Sequence, residues 1–317
     1  MKGLTDVPGI LVGHASDYEA LTGCTVVLCG NDAVGGVDVR GSATGSCELE
    51  TLNPGHVTPN VHAIVLAGGS AFGLEASSGV RNVLEKRKAG FATGAAIVPI
   101  VPGAILYDLG IGRADIRPGR EMGAKAVLAA SDGPVAEGNV GAGTGATVGK
   151  IFGMKQAMKS GIGSASLTLG SGVVVAALVA VNAFGDVLDP ATGAIVAGAR
   201  KTPDSRDFIN SAAALRHGVP DRPAFRGNTT LAVIATNARL DKVQTNKVAA
   251  LASLGVARTI SPVNTMADGD ITFAISLGKE QASVDAAGSA AAEVLAMAVL
   301  RAVRAAKSAG GVPGLSG

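Results

Sequence analysis

The chain has 317 residues, 27 Lys+Arg against 25 Asp+Glu for a net charge of +2, and 47% hydrophobic but only 3% aromatic residues. No basic block stands out and few rings are available to stack on bases, which argues against nucleic-acid binding. The three cysteines, Cys24, Cys29 and Cys47, are odd in number and lack metal-type pairing, which speaks against a disulfide framework or structural zinc and suggests reduced thiols in the cytoplasm.

At this length the chain forms one large domain or two ordinary ones, and it can bury a sizeable core. With 45 glycines and no tryptophan, that core is expected to be closely packed backbone with Ala, Val, Leu and Ile side chains, which suits layered helices and sheets.

The amino-terminal MKGLTDVPGILVGH has no apolar run long enough for a signal-peptide core. TVVLC (25–29) and HAIVLAG (62–68) read as strands bounded by Gly and Asn. GGSAFG (68–73) follows, resembling the strand-to-helix elbow that carries a nucleophilic serine. That elbow needs Gly where Phe72 stands, and the four histidines offer Ser70 no evident partner. A tight turn opening the helix at 72–88 is the competing reading. A second helix is predicted at 118–131, with Pro118 at its start. GAGTGATVGK (141–150) resembles a phosphate loop, but Thr144 stands where Gly is required and Ile151 where Ser or Thr is required. It reads better as a Gly-rich approach that delivers Lys150 to a site, or leaves it as a solvated charge.

GVVVAALVAVNAF (172–184) is the most apolar run, too short to span a membrane as a helix, and its β-branched residues favour a buried strand. The stretch 201–228 is polar, charged and holds three prolines, so it reads as a surface excursion. It leads into a strand, TLAVIAT (230–236), then a helix at 241–255 with Asp at its start and Gly at its end. DITFAIS (270–276) is the last strand, and the Ala-rich stretch 283–311 the strongest helix.

The junction of excursion and strand reads Gly227-Asn228-Thr229-Thr230. A threonine at a free amino terminus can attack amides, because its α-amine (reference pKa about 7.7–8.0) serves as the base. Inside a chain it must first be released by its own hydroxyl attacking the preceding carbonyl, here that of Asn228. Gly227 would let the backbone take the shape this needs. An Asn turn with Ser/Thr-type capping is the plainer alternative.

Six ordered segments decide between them: VGGVDVRGSATG (34–45), AIVLAGGSAFGLEA (63–76), VPIVPGAILYDLGIG (98–112), GNVGAGTGATVGK (138–150), NTTLAVIATNARL (228–240) and ISPVNTMADGDITFA (260–274). Together they resemble the DmpA-type aminopeptidases, β-aminopeptidases and nylon-oligomer hydrolases, one family of self-processing amide hydrolases, over nearly the whole chain. The resemblance implies a single αββα four-layer sandwich, similar to amino-terminal-nucleophile hydrolases and shared with ornithine acetyltransferases. It implies one cut between Asn228 and Thr229, leaving chains 1–228 and 229–317. Thr229 matches the nucleophile. Lys150 matches a residue that helps the nucleophile reach its reactive protonation state, and Asn182 an oxyanion donor. Tyr107 matches a tyrosine near the substrate carbonyl. Asp268 and Asp270 match an acidic pair that orients the nucleophile and its amine, and i, i+2 spacing in extended chain would point both the same way. An ordinary turn before the strand is the other reading of that pair.

Two departures matter. The β-aminopeptidases carry a Ser nucleophile and Ser-x-Glu, so Thr229 with Asp268-x-Asp270 resembles the nylon-oligomer branch more. SCELETL (46–52) replaces a more basic stretch and alters the expected substrate entrance. The resemblance implies a small peptide or amide substrate, no cofactor or metal, no membrane, a cytoplasmic location and a tetramer of αβ units. An acyltransferase using the same acyl-enzyme, and an unprocessed binding protein, are the rival readings.

Overall fold

The computed structural model describes residues 2–218 and 227–316; part of the predicted surface excursion, 219–226, lies outside the described residues. Ten strands make up two five-stranded sheets. In chain order they are β1 (Leu11–Asp17), β2 (Thr22–Leu28), β3 (Val34–Val39), β4 (Ser46–Cys47), β5 (Ala63–Ala67), β6 (Gly103–Ile105), β7 (Ile162–Thr168), β8 (Val174–Asn182), β9 (Thr229–Ala238) and β10 (Ile271–Glu280). The first sheet has the order β1-β2-β5-β6-β4 and the second β7-β8-β9-β10-β3. Most pairs are antiparallel, but β5 runs parallel to β6 and β9 parallel to β10. The helices are α1 (Glu75–Lys86), α2 (Arg120–Leu128), the short α3 (Ser211–Arg216), α4 (Lys242–Thr259) and α5 (Val284–Arg304).

The layering follows from the period-2 alternation of strand side chains. In β9, Leu231, Val233 and Ala235 join a core between the two sheets that includes Ile64, Leu66 and Phe273. Ala232 and Ile234, on the other face, join a second core with Val248, Val294 and Val299 from α4 and α5. A third core sets α1 and α2 against the first sheet through Val26, Val65, Val80 and Val127. The result is the expected αββα sandwich, with β9 central in the second sheet and buried on both faces. The run 172–184 supplies β8, the strand beside it.

Small residues make these layers possible. A Cβ at Gly255 in α4 would collide with the backbone of Ala292 in α5, and one at Gly79 in α1 with the backbone of Arg120 in α2. The predicted end of a helix at Gly255 is therefore corrected. α4 continues to Thr259, and the glycine marks a helix crossing rather than a stop. Asp241 caps its start, accepting from Gln244 N–H in a reciprocal capping box. α5 ends at Arg304, earlier than the predicted 311. By length and composition α5 could cross a membrane, yet 67% of its apolar window is buried inside the protein, as in a core helix. At the front of α1 the predicted helix is a short 3-10 turn, Ser70–Leu74.

Candidate active site

The site lies where β8 ends and β9 begins. Asn182, the last residue of β8, is the register partner of Thr229, the first of β9. Both are buried, as are Asn228, Asp268, Asp270 and Lys150. The Thr229 hydroxyl lies 2.5 Å from the carbonyl oxygen of Asn228. The peptide before Thr229 is thus within reach of its own side chain.

Asn182 is the hub. Its Oδ1 accepts from Lys150 Nζ (2.7 Å) and from the Thr147 backbone N–H (3.1 Å). Its Nδ2 donates to the Tyr107 carbonyl (3.0 Å). An amide nitrogen carries two hydrogens, so one remains for a ligand oxygen. Lys150 also donates to the Asn182 backbone carbonyl (3.0 Å). The chain reaches it through Gly149, whose φ of 69° turns Lys150 inward. The solvated-charge reading of Lys150 is thereby overturned. Burial pushes its amine down to about 7, against the opposing pull of Asp268.

The acidic pair divides its contacts. Asp268 Oδ1 accepts from Phe184 N–H (3.2 Å), and Oδ2 from Thr265 N–H (3.0 Å) and Oγ1 (2.6 Å). Asp270 Oδ1 accepts from Thr230 N–H (2.6 Å) and Oδ2 from Asn264 N–H (3.1 Å). Burial, then the neighbouring Asp268 charge, pushes Asp270 up to about 7. An amine and a carboxyl that both titrate near neutrality in one buried cluster mark a functional site. Asp268 is thus held by Phe184 and Thr265, and Asp270 by Thr230 and Asn264, rather than by Thr229 itself.

Gly227 is also required sterically. A Cβ there would collide with Cβ and Cγ of Tyr107, so glycine is required by the close approach of that side chain to the chain before Thr229. Tyr107 is thus brought to the site both by its ring and by its carbonyl. Asp108, beside it, anchors the turn of GGSAFG by accepting from Gly69 N–H (2.7 Å) and Thr22 Oγ1 (2.7 Å). Ser70 has a left-handed backbone, φ 54°, but no histidine is hydrogen-bonded to it among the described residues. The GAGTGATVGK stretch forms a buried turn, with Gly143 against Gly161 and Gly145 against Asp108, leaving no open phosphate cradle.

Sequence reasoning missed Gly269, Thr147, Phe184, Asn264 and Thr265. All five meet the site through backbone N–H groups, Thr265 through its hydroxyl as well, and only the glycine between the two aspartates was a visible signal. Gly269 N–H donates to the Asn228 carbonyl (2.8 Å).

A model of peptidase family S58 matches residues 2–316. The chain belongs to that family. The S58 chain is 40% identical to an uncharacterized aminopeptidase of Mycobacterium leprae, over 99% of this chain and 93% of that protein. It is 33% identical to a 6-aminohexanoate-oligomer endohydrolase of a Kocuria species, over 94% and 85% of the two chains. Among solved structures, a Burkholderia β-aminopeptidase superposes with a TM-score of 0.70 at 25% identity, covering 99% of this chain and 91% of that one. The L-aminopeptidase D-Ala-esterase/amidase of Ochrobactrum anthropi, described as a variant of the Ntn-hydrolase fold, superposes at 0.73 with 22% identity, covering 98% and 88%. The S58 chain is an aminopeptidase-type amide hydrolase with this fold.

Proposed function

We propose that the S58 chain cuts itself between Asn228 and Thr229, and that the freed Thr229 is the nucleophile of the mature hydrolase. The observation that carries this reading is the Thr229 hydroxyl lying against the Asn228 carbonyl at the head of the central buried strand. A turn alone needs no buried lysine and two buried carboxyls beside it. Mature Thr229 attacks the substrate carbonyl, forms an ester and releases the amine product. Water then resolves the ester, with the Thr229 α-amine as general base in both steps. Lys150 and Asp270, both near neutrality, set the protonation state around that amine. The spare Asn182 Nδ2 hydrogen stabilises the oxyanion, a contribution of about 3 kcal/mol for one such donor. Tyr107 lies near the substrate carbonyl, and Asp268 with Asp270 orients the nucleophile and its amine. The substrates are short peptides, amino-acid amides or ω-amino-acid oligomers; the last class is suggested by the Kocuria relative.

The test is hydrolysis of amino-acid amides and of 6-aminohexanoate oligomers by the wild type, by Thr229→Ser and by Thr229→Ala. Activity retained in the serine variant and absent in the alanine variant supports the reading. Full activity in Thr229→Ala would remove it. Added amine acceptors, followed by product analysis, separate hydrolysis from acyl transfer. The working assembly is proposed to be a tetramer of αβ units in the cytoplasm, and a monomer by light scattering at micromolar concentration would refute that assembly.

A further inference from the structure

The scissile carbonyl is held from two directions. The Thr229 hydroxyl lies against its oxygen, and Gly269 N–H donates to the same oxygen at 2.8 Å. Asn182 does not do this: its resolved Nδ2 bond goes to the Tyr107 carbonyl. We propose that the Gly269 N–H is the oxyanion donor of the self-cleavage step, a role separate from that of Asn182 toward substrates. The proposal rests on the reading of Thr229 as the residue that cuts the chain.

The local construction fits this use. Asn228 and Asp268 form an isolated parallel bridge, which sets the Gly269 N–H on the carbonyl of Asn228. The loop bearing Arg40–Ala43 closes over the other side: Ala43 N–H donates to the Asp268 carbonyl (2.9 Å), and Arg40 and Gly41 N–H to the Asp270 carbonyl (3.0 and 3.1 Å). Asp268 and Asp270 are each pinned by two further residues, so the peptide between them has little freedom. A Cβ at Gly269 would come within 2.6 Å of the Ala43 carbonyl oxygen and 2.7 Å of Thr229 Oγ1. Glycine is therefore the residue that lets a backbone donor approach the nucleophile and its carbonyl together. A donor fixed before reaction needs no reorganisation as charge develops, which is what makes such groups effective.

Thr229 Oγ1 forms a bond to the Asn228 carbonyl carbon and gives up its proton, while the carbonyl electron pair moves onto the oxygen held by Gly269. That pair returns as the C–N bond breaks. The Thr229 nitrogen takes up the proton and becomes an amine. Water then cleaves the ester, leaving an Asn228 carboxyl and the Thr229 hydroxyl.

The test replaces the Gly269 amide with an ester by incorporating glycolic acid at position 269 of the full chain. This removes one N–H and adds no side chain. Self-cleavage, followed by gel and mass spectrometry, is expected to slow by roughly 10²-fold or more. Cleavage at the wild-type rate in a folded ester variant overturns the proposal. A crystal structure of the Thr229→Ala chain tests the same contact without the ester variant: the Gly269 nitrogen should lie within hydrogen-bond distance of the Asn228 oxygen, and a longer separation also overturns the proposal. A Thr229→Ala chain that still cuts itself sinks the reading of Thr229. A whole Thr229→Ala chain beside a normally cleaving ester variant sinks the role of Gly269 alone.

Discussion

Lys150→Met, made in a Thr229→Ala background to keep the chain whole, tests the buried charge at the site. The Lys150 amine is buried and falls from an ordinary 10.5 to about 7. At about 1.36 kcal/mol per pH unit, burying the charged form costs ~5 kcal/mol, an upper limit. The sign follows from proton counting. Between pH 7 and 10.5 the unfolded chain keeps a proton on this lysine that the folded chain has lost, so stability rises with pH. Below pH 7 both states are charged and the full cost is present. Methionine carries no such cost, and Asn182 Oδ1 keeps its bond from Thr147 N–H when the amine is gone. The methionine variant should therefore be the more stable near pH 7, and its advantage should shrink by roughly 2 kcal/mol by pH 9. Urea unfolding of both chains at the two pH values reads this directly. Parallel pH dependences for the two chains would show that Lys150 is not desolvated as described.

Other substitutions test the surrounding parts. Gly227→Ala drives a methyl into the Tyr107 ring, so self-cleavage followed by gel should slow roughly tenfold or more; an unchanged rate would separate Tyr107 from the scissile peptide. Gly255→Ala should lower stability by about 1–3 kcal/mol in thermal melts, despite the better helix propensity of alanine, because α4 and α5 cross there. A stabilised variant would contradict that packing. Asp268→Asn sets an NH₂ group among the N–H donors of Phe184 and Thr265. Turnover should fall by about two orders of magnitude, and wild-type kinetics would take Asp268 out of the site.

The strands legible in the sequence were those rich in β-branched and aliphatic residues: β2, β5, β8, β9 and β10. β1, β3 and β7 were not legible, for a shared reason. Each carries a glycine where a helix crosses it: Gly13 against Ala126 of α2 and Ala130 just beyond its end, Gly36 against Thr245 and Asn246 of α4, Gly163 against Ala298 and Ala302 of α5. Local propensity scores such residues as turns, while tertiary packing makes them strand. The same blindness placed a helix end at Gly255. At the site, the side chains of Lys150, Asn182, Thr229, Asp268 and Asp270 could be read through the family resemblance, and the structure brings them together. The backbone donors of Thr147, Phe184, Asn264, Thr265 and Gly269 could not, because any residue but proline offers an N–H and only the fold decides where it points.

The most direct measurement is the intact mass of the purified wild-type protein, with amino-terminal sequencing of any fragment. Two chains of 228 and 89 residues, the smaller beginning at Thr229, are predicted. A single chain of 317 residues that is nevertheless fully active on amides would contradict the account, since internal Thr229 has no free amine with which to work.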